Sequence, residues 1–357
     1  MKGKTFIIFI ISISLSLIMS FTIPKKIIDQ IQMVTVMGYD QVEDEMIRGT
    51  AIVPKYINKN KVSNIIYTNV SELIYENQTD LNRVASEELY NGKLEIVLYG
   101  KELAKKGMVP YIDFLTRDPS IGSRTYLAIV EESAYRLINQ INTEQSAGLY
   151  FSDLIEHNII NGNLPETNLK IFQTGIKSQL QDPFLPILKV KGDKAIIEGL
   201  GFFDKDKFVF TLPYDNAFLF NILKEEVGNG KYALKRNHIK ASIQSIESTR
   251  DFKVEGSKAN PIINVTLTLR GVLREYTGPS LNKNKDEINK MWKEDVRQKG
   301  QELINKFQEL EIDPISIGLQ VKANTRGFDL SNWKDIYPNA EIKLKVKSKL
   351  IETGTMN

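Results

Sequence analysis

An uncharged stretch, Thr5 to Ile23, constrains this chain more than any other feature. It reads TFIIFIISISLSLIMSFTI and is flanked by Lys2, Lys4, Lys25 and Lys26. A helix rises about 1.5 Å per residue, so this length would cover roughly 28 Å, close to the ~30 Å hydrocarbon core of a bilayer. Residues 1–24 are therefore predicted to form a membrane anchor or a secretory signal.

The end of this stretch favours an anchor. Signal cleavage requires small residues at the cut, and Leu17 to Thr22 contains no clean small-x-small pair. A lipoprotein requires a cysteine there, and the chain has none. We therefore expect an uncleaved anchor and export of the rest of the chain, with a cleaved leader or a buried soluble helix as the alternatives.

The remaining composition is that of a folded, multidomain body. The 357 residues are 42% hydrophobic and 25% charged, enough for two or three cores. A net charge of +3 is too small for the concentrated basic field of nucleic-acid-binding proteins. The absence of cysteine excludes disulfides, thiol nucleophiles and Cys-ligated metals.

The first half of the chain predicts an α/β domain over residues 25–181. Strands are predicted at Gln32–Asp40, Glu45–Val53 and Lys61–Val70, followed by a helix from Ser71 to a stop at Asn91-Gly92. Short helices then alternate with apolar strands as far as Ile141. This order predicts parallel crossovers packed on a sheet.

The second half predicts two further domains. Asp182-Pro183 marks a boundary before a strand-rich middle domain, residues 182–229, and a C-terminal α+β domain with a long helix follows over 230–357. The C-terminal domain includes a predicted strand at Ile315–Val321 and a closing strand at Ala340–Leu350. The predicted fold is mixed α/β and α+β, in three domains whose mixed or antiparallel sheets pack with helices after an N-terminal hydrophobic helix.

No residue pattern in the sequence indicates a catalytic or cofactor-binding site. His157 lies among aliphatic residues and His238 begins a strand, so both are interpreted as structural or surface histidines. The neighbouring carboxylates of Glu131-Glu132 and Glu225-Glu226 diverge, which does not suit acid–base chemistry. Asp204-Lys205-Asp206 lacks the glycine and closing glutamate of a calcium loop and is interpreted as a solvated turn. We therefore predict no enzyme activity, no cofactor and no metal.

The closing strand carries a row of lysines on one face. The lysines alternate with apolar residues, so one face of the sheet is predicted to be solvent-exposed. They are Lys343, Lys345, Lys347 and Lys349. Such a row could meet anionic lipid headgroups or an acidic partner, at about 1 kcal/mol per charge. The favoured alternative is a solvated face whose charges discourage edge pairing. Trp333 and Tyr337 could form a binding patch, although a plug at the end of the core is favoured.

Three stretches resemble the Ger(x)C family, the C subunits of nutrient germinant receptors in endospore-forming bacteria. They are IQMVTVMGYD (Ile31–Asp40), LYGKELAKKGMVPYIDFLTRDPSIGSRTYLAIV (Leu98–Val130) and NWKDIYPNAEIKLKVKSKL (Asn332–Leu350). The middle stretch is the most specific. The candidate contacts with partner subunits are Arg117, Asp118, Arg124, Lys343, Lys345 and Lys347.

The resemblance implies three α/β-type domains on the outer face of the inner spore membrane. It implies two membrane-embedded partner subunits, with which the protein would convert nutrient sensing into germination. The family has no known catalytic residues that could be assigned to positions of this chain. Family members typically have a lipobox cysteine followed by Trp-Asp-Arg ahead of the first strand. Here Ile23-Pro24-Lys25-Lys26 stands at that place, which favours an uncleaved helix as the tether.

The leading hypothesis is thus a non-enzymatic, membrane-tethered receptor subunit that binds other proteins and no nucleic acid. The second is an exported, tethered protein that captures a small ligand in an interdomain cleft. The third is a hydrolase that uses His157 or His238.

Overall fold

A computed structural model of the protein describes residues 9–14, 30–43, 45–58, 61–236, 239–257, 260–277, 281–327 and 332–351, without the side chains of 281–284. Residues 9–14 are helical and exposed, and the rest of the predicted anchor lies outside these ranges, as does His238. Within the described ranges, no helix has both the length and the apolar character that a bilayer span demands.

Strands and helices alternate through most of the chain. The strands are β1 (Ile31–Met33), β2 (Val36–Gln41), β3 (Ile47–Asn58), β4 (Lys61–Ser71), β5 (Glu88–Tyr90), β6 (Ile96–Gly100), β7 (Tyr126–Val130), β8 (Phe184–Lys191), β9 (Lys194–Asp204), β10 (Lys207–Pro213), β11 (Tyr232–Arg236), β12 (Ile239–Gly256), β13 (Pro261–Tyr276) and β14 (Glu341–Ile351). The helices are α1 (Ile74–Val84), α2 (Lys101–Lys106), α3 (Val109–Arg117), α4 (Ala134–Gln140), α5 (Ala147–Ile160), α6 (Leu169–Lys177), α7 (Ala217–Lys224), α8 (Leu281–Glu309), α9 (Ile317–Asn324) and α10 (Trp333–Ile336). Single 3-10 turns lie at Tyr214–Asn216 and Tyr337–Asn339.

Eight strands form a central sheet in the order β10-β9-β8-β7-β6-β2-β3-β4. The middle strands β8, β7, β6 and β2 are parallel, and an antiparallel pair flanks them at each edge. β1 and β5 pair separately, in parallel. The predicted α/β arrangement of the first half is confirmed.

Helices cover both faces of the central sheet. Successive side chains of a strand point to opposite faces, so Val36 and Leu98 join the core beneath α4 and α5, whereas Met37 and Tyr99 join the core beneath α1, α2, α3 and α6. Because both faces are buried, the parallel strands are almost continuously apolar. The result is a three-layer arrangement in which the strand ends and their loops carry the exposed polar groups.

The central sheet also includes β8, β9 and β10, from the range predicted to form a middle domain. Hydrogen bonding therefore places strands of the ranges 25–181 and 182–229 in one sheet, whereas 230–357 contains a sheet of its own. The division into three domains stays a prediction.

The C-terminal sheet has the order β11-β12-β13-β14, and α8 packs against β14. β14 is parallel to β13, which makes this sheet mixed. Its predicted alternation is confirmed, since Ile342, Leu344 and Val346 are buried while the lysines between them are exposed. The short strand β11 was not predicted.

Two predicted elements of secondary structure are wrong. The predicted strand Ile315–Val321 is the start of helix α9, where Ile317 and Val321 are buried one turn apart and Leu319 is exposed. The helix predicted from Ser71 to Asn91 is α1, which ends at Val84, and Leu89 belongs instead to β5. In both places tertiary contacts decide the structure, because the apolar spacing fits helix and strand alike.

A cluster of aromatic rings joins the central sheet to the C-terminal half. The ring centroid of Phe202 on β9 lies 4.8 Å from that of Phe220 on α7 and 4.9 Å from that of Phe307 on α8. Phe184 on β8 lies 5.0 Å from Phe220, edge to face. All four are buried in one continuous hydrophobic core, so the two halves are packed together by apolar contact.

Candidate functional site

Of the predicted contact residues, Arg117 ends helix α3, and Asp118 and Arg124 lie in the loop between α3 and β7. Asp118 accepts hydrogen bonds from the Ser120 amide (2.9 Å), the Ser120 hydroxyl (2.6 Å) and Asn91 Nδ2 (3.0 Å), so its carboxylate shapes the loop. Arg117 is exposed, with its guanidinium 3.8 Å from Asp113, and Arg124 is exposed at the other end of the loop. Two arginines are thus available at this surface, on a loop that Asp118 holds.

The predicted lysine row lies on the solvent face of β14, at the edge of the C-terminal sheet. Lys343 forms an ion pair with Glu341 at 2.5 Å. Lys345 and Lys347 lie beside Thr266 and Thr268 of β13, and neither forms an ion pair within the described part of the chain. The six predicted contact residues therefore form two groups, one on each half of the fold.

A cavity of about 210 Å³ lies where the central sheet meets the C-terminal half. Its walls come from the loop 178–182, the β9–β10 turn, the loop 311–313 and the segment Trp333–Tyr337. Sequence reasoning pointed to Trp333 and Tyr337 but missed the acidic residues beside them. A signal existed, because Asp182 and Asp313 each precede a proline, and an X-Pro residue is held extended.

Asp182 and Asp313 hold the two halves together at this junction. The Asp182 amide donates to the Asp313 carbonyl oxygen (3.1 Å), and the Asp313 amide donates to Asp182 Oδ2 (2.7 Å). Asp182 Oδ1 also accepts from the Lys205 amide at 3.3 Å. One carboxylate therefore connects three loops that are distant in sequence.

The Asp313 carboxylate caps helix α9. It accepts hydrogen bonds from the amides of Ile317 (2.9 Å) and Gly318 (2.7 Å) and from Trp333 Nε1 (3.1 Å). Burial raises the pKa of Asp313 to about 6, an effect that the nearby Asp182 carboxylate reinforces and the amide donors oppose. This capping explains why the segment after Asp313 is helical.

A buried lysine completes the junction. Lys224 Nζ donates to the Ser316 hydroxyl (2.5 Å), which in turn donates to Gln181 Oε1 (3.0 Å). Burial lowers the pKa of Lys224 to about 8, and the neighbouring Asp313 carboxylate opposes that shift. The chain of hydrogen bonds again crosses from one half of the fold to the other.

This arrangement suits a structural tie better than catalysis. The buried carboxylates are occupied by amide and indole donors, and at the rim Lys334 forms an ion pair with Asp204 at 2.9 Å. The Tyr337 hydroxyl is buried and has no hydrogen-bond partner among the described residues. Within the described ranges, the junction therefore offers the Tyr337 hydroxyl as an unused polar group beside a small cavity.

The histidine and the acidic turn that were considered as catalytic or metal-binding residues do not form a catalytic or metal site. His157 is exposed on α5, with Nδ1 3.3 Å from the Asp153 carbonyl oxygen. The predicted solvated turn is in fact bonded, because Asp206 accepts from the amides of Met108 (3.0 Å) and Val109 (3.2 Å) at the start of α3. Across the described ranges, His, Asp and Glu side chains form no group of three that could hold a metal ion.

Comparisons with known proteins cover nearly the whole chain. A family described as spore germination protein N-terminal domain matches residues 24–190, and one described as spore germination B3/GerAC like, C-terminal, matches residues 198–354. The spore germination protein GerQC of Bacillus cereus is 25% identical over 358 residues, covering 98% of this chain and 99% of that protein. The putative spore germination protein YfkR of Bacillus subtilis (strain 168) is 21% identical over 303 residues, covering 80% of this chain and 77% of that protein.

Among solved structures, the crystal structure of the GerBC protein has a similar fold. The TM-score is 0.57 at 15% identity, and the match covers 88% of this chain and 96% of that one. The junction described above connects the two matched ranges, since Asp182 lies in the first and Asp313 in the second.

Proposed function

The chain belongs to the Ger(x)C family of spore germination proteins, and from this premise we propose that it acts as the C subunit of a membrane germinant receptor in nutrient-triggered germination. The observation that carries the proposal is the match of both family domains, over residues 24–190 and 198–354. A role in spore germination follows from the family itself. The subunit's partners, location and lack of enzymatic activity belong to the proposal.

The proposed subunit is non-enzymatic. The acidic groups at its junction, the half-buried Asp182 and the buried Asp313, accept hydrogen bonds that connect the two halves of the fold. Such groups stabilise a rigid body and have little free capacity for proton transfer to a substrate. A rigid body with exposed charged surfaces suits a protein that works by contact.

The proposed partners are two membrane-embedded receptor subunits, on the outer face of the inner spore membrane. The stretch Thr5–Ile23 would tether the chain there. Arg117 and Arg124 on one half, and Lys343, Lys345 and Lys347 on the other, are the proposed contact residues, with Asp118 holding the loop between the two arginines.

Co-purification tests this function. The full chain, tagged at its C-terminus, is isolated with mild detergent from spore inner membranes. We expect it to bring down two polytopic membrane proteins in comparable amounts and to stay in the membrane pellet through a carbonate wash. Isolation of the chain alone from intact membranes would contradict the proposed complex, and its release by carbonate would contradict the tether.

The junction cavity gives the ligand-capture hypothesis a specific location. The observation that favours it is the Tyr337 hydroxyl, which lines this cavity and has no hydrogen-bond partner within the described part of the chain. If a nutrient bound there, the thermal unfolding midpoint of the purified full chain would rise with nutrient concentration, and Tyr337→Phe would remove the rise. An unchanged midpoint across a nutrient panel would leave the receptor-subunit function as the single proposal.

A further inference from the structure

The β3–β4 hairpin projects beyond the central sheet. Asn64 ties it to the body, since its Nδ2 donates to the Gln145 carbonyl oxygen (3.2 Å) and its Oδ1 accepts from the Ala147 amide (3.0 Å). Asn64 lies opposite Pro54 in the hairpin register. Lys55 to Asn58 lie beyond that level and are exposed, so the strand continues into solvent for about 13 Å at 3.3 Å per residue.

The tip of this hairpin combines exposed apolar groups with lysines. Tyr56 is 68% exposed and Ile57 is 56% exposed. Lys55 and Lys61 lie beside them on the two strands, and the sequence from 54 to 71 contains no acidic residue. An aromatic and an aliphatic side chain flanked by lysines is the composition of segments that lie in a membrane interface.

The N-terminal end of the described body lies at the same end of the sheet as this tip. β2 is antiparallel to β3, with Val36 opposite Ile52, so the chain before β2 extends in the direction of the hairpin tip. The Thr35 amide donates to the Ile52 carbonyl oxygen at 2.9 Å. Further back, Gln32 of β1 accepts a hydrogen bond from the Tyr67 hydroxyl of β4 at 2.9 Å. β1 is thereby fixed beside the hairpin.

The connection from β1 to the apolar stretch is short. Seven residues, 24–30, separate Ile23 from Ile31. They span at most about 25 Å when fully extended. If Thr5–Ile23 lies in a membrane, Ile31, at the end of the sheet that carries the hairpin, is therefore held within about 25 Å of the surface of that membrane.

We propose that the β3–β4 hairpin tip docks on the lipid surface of the membrane that tethers the chain. Lys55 and Lys61 contact anionic headgroups, and Tyr56 and Ile57 enter the boundary between headgroups and acyl chains. The proposal rests on the membrane tether proposed above. It gives the subunit a second contact with the bilayer, which fixes the orientation of the body relative to membrane-embedded partners.

Single cysteines test the docking, because the chain has no native cysteine. Tyr56→Cys and Ile57→Cys, each labelled with a polarity-sensitive dye, are reconstituted as full chains into vesicles of phosphatidylglycerol and phosphatidylethanolamine. Val209→Cys is the matched control, since Val209 is 41% exposed on β10 at the opposite edge of the same sheet. Equal thermal unfolding midpoints establish that the labelled chains are folded.

We expect bromine-labelled lipids to quench the dyes at positions 56 and 57 at least twofold more than the dye at 209, and aqueous iodide to quench them less. Adding Lys55→Glu and Lys61→Glu should reduce the lipid quenching at both tip positions. Replacing phosphatidylglycerol by phosphatidylcholine should do the same, because the anionic headgroups are then absent.

The outcomes separate this proposal from the tether. If the chain stays with the vesicles but iodide quenches the tip dyes as strongly as the dye at 209, docking is wrong and the tether stands. Tip dyes shielded from iodide without quenching by bromolipid would mean that protein covers the hairpin, which also overturns lipid docking. If the chain does not stay with the vesicles at all, tether and docking both fail.

Discussion

The amide of Asp313 donates a hydrogen bond of 2.7 Å to the carboxylate of Asp182, 131 residues earlier in the chain, and the Asp182 amide donates to the Asp313 carbonyl oxygen at 3.1 Å. This reciprocal pair connects the loop before β8 to the loop after α8. Both aspartates precede prolines, which disfavour a helical backbone at Asp182 and at Asp313. The two halves of the fold are thereby fixed by directed bonds as well as by their shared aromatic core.

Asp182→Ala should weaken the junction. It leaves the buried amide of Asp313 without its acceptor, which typically costs about 1–3 kcal/mol. Urea denaturation of the detergent-solubilised full chain measures the change. Asp215→Ala, at an exposed turn residue, is the control and should stay within about 0.5 kcal/mol of wild type. An equal effect of the two substitutions would contradict a structural role for Asp182.

Asp313 should make stability fall as pH rises through the range of its titration. Burial raises its pKa from an ordinary 3.8 to about 6, so between these values the folded chain holds a proton that the unfolded chain has released. The protonated carboxyl therefore favours folding fully below about pH 4, and this advantage is lost by about pH 7. The loss is about 3 kcal/mol at ~1.4 kcal/mol per pH unit.

Asp313→Asn removes this titration. We expect the free energy of unfolding of the variant to be lower than that of wild type at pH 4. At pH 7 the difference between the two free energies should be smaller by about 2–3 kcal/mol. Chemical denaturation of both proteins at the two pH values measures the narrowing. A difference that is constant with pH would contradict the raised pKa.

Phe307→Ala should destabilise both halves together. Phe307 is fully buried between Phe202 and Phe220, and truncation of such a ring costs about 3–5 kcal/mol. Unfolding should remain a single transition with its midpoint at a lower denaturant concentration, because both halves share one hydrophobic core. Tyr56→Ala, at an exposed ring, should leave the midpoint unchanged. Two separate transitions in the variant would mean that the halves fold independently.

Charge reversal on β14 tests the proposed partner contact. Lys345→Glu with Lys347→Glu should lower co-purification of the membrane partners several-fold without changing the unfolding midpoint, because both side chains are exposed. Lys235→Glu with Lys240→Glu is the matched control, since these exposed lysines lie opposite each other at the other edge of the same sheet. An equal loss in both double variants would indicate a general charge effect.

Sequence periodicity predicted the local features of the fold and missed the long-range ones. The alternation of β14 was predicted because a strand with one buried face requires it. The helix at Ile317 was predicted as a strand because its apolar spacing fits both structures. Its cap, Asp313, is a local contact that periodicity does not register, and the ring of Trp333 contacts it from 20 residues away. The junction was missed for the same reason, because its aspartates lie 131 residues apart. β11 has five residues, too few for its periodicity to distinguish a strand from a loop.

Germination of spores that lack this gene tests the receptor-subunit function most directly. Loss of optical density is followed against a nutrient panel in the deletion strain and after complementation with the wild-type gene. We expect a lost or slowed response to at least one nutrient, a normal response to others, and recovery on complementation. An unchanged response to every nutrient, in a strain whose wild-type spores contain the protein, would contradict it.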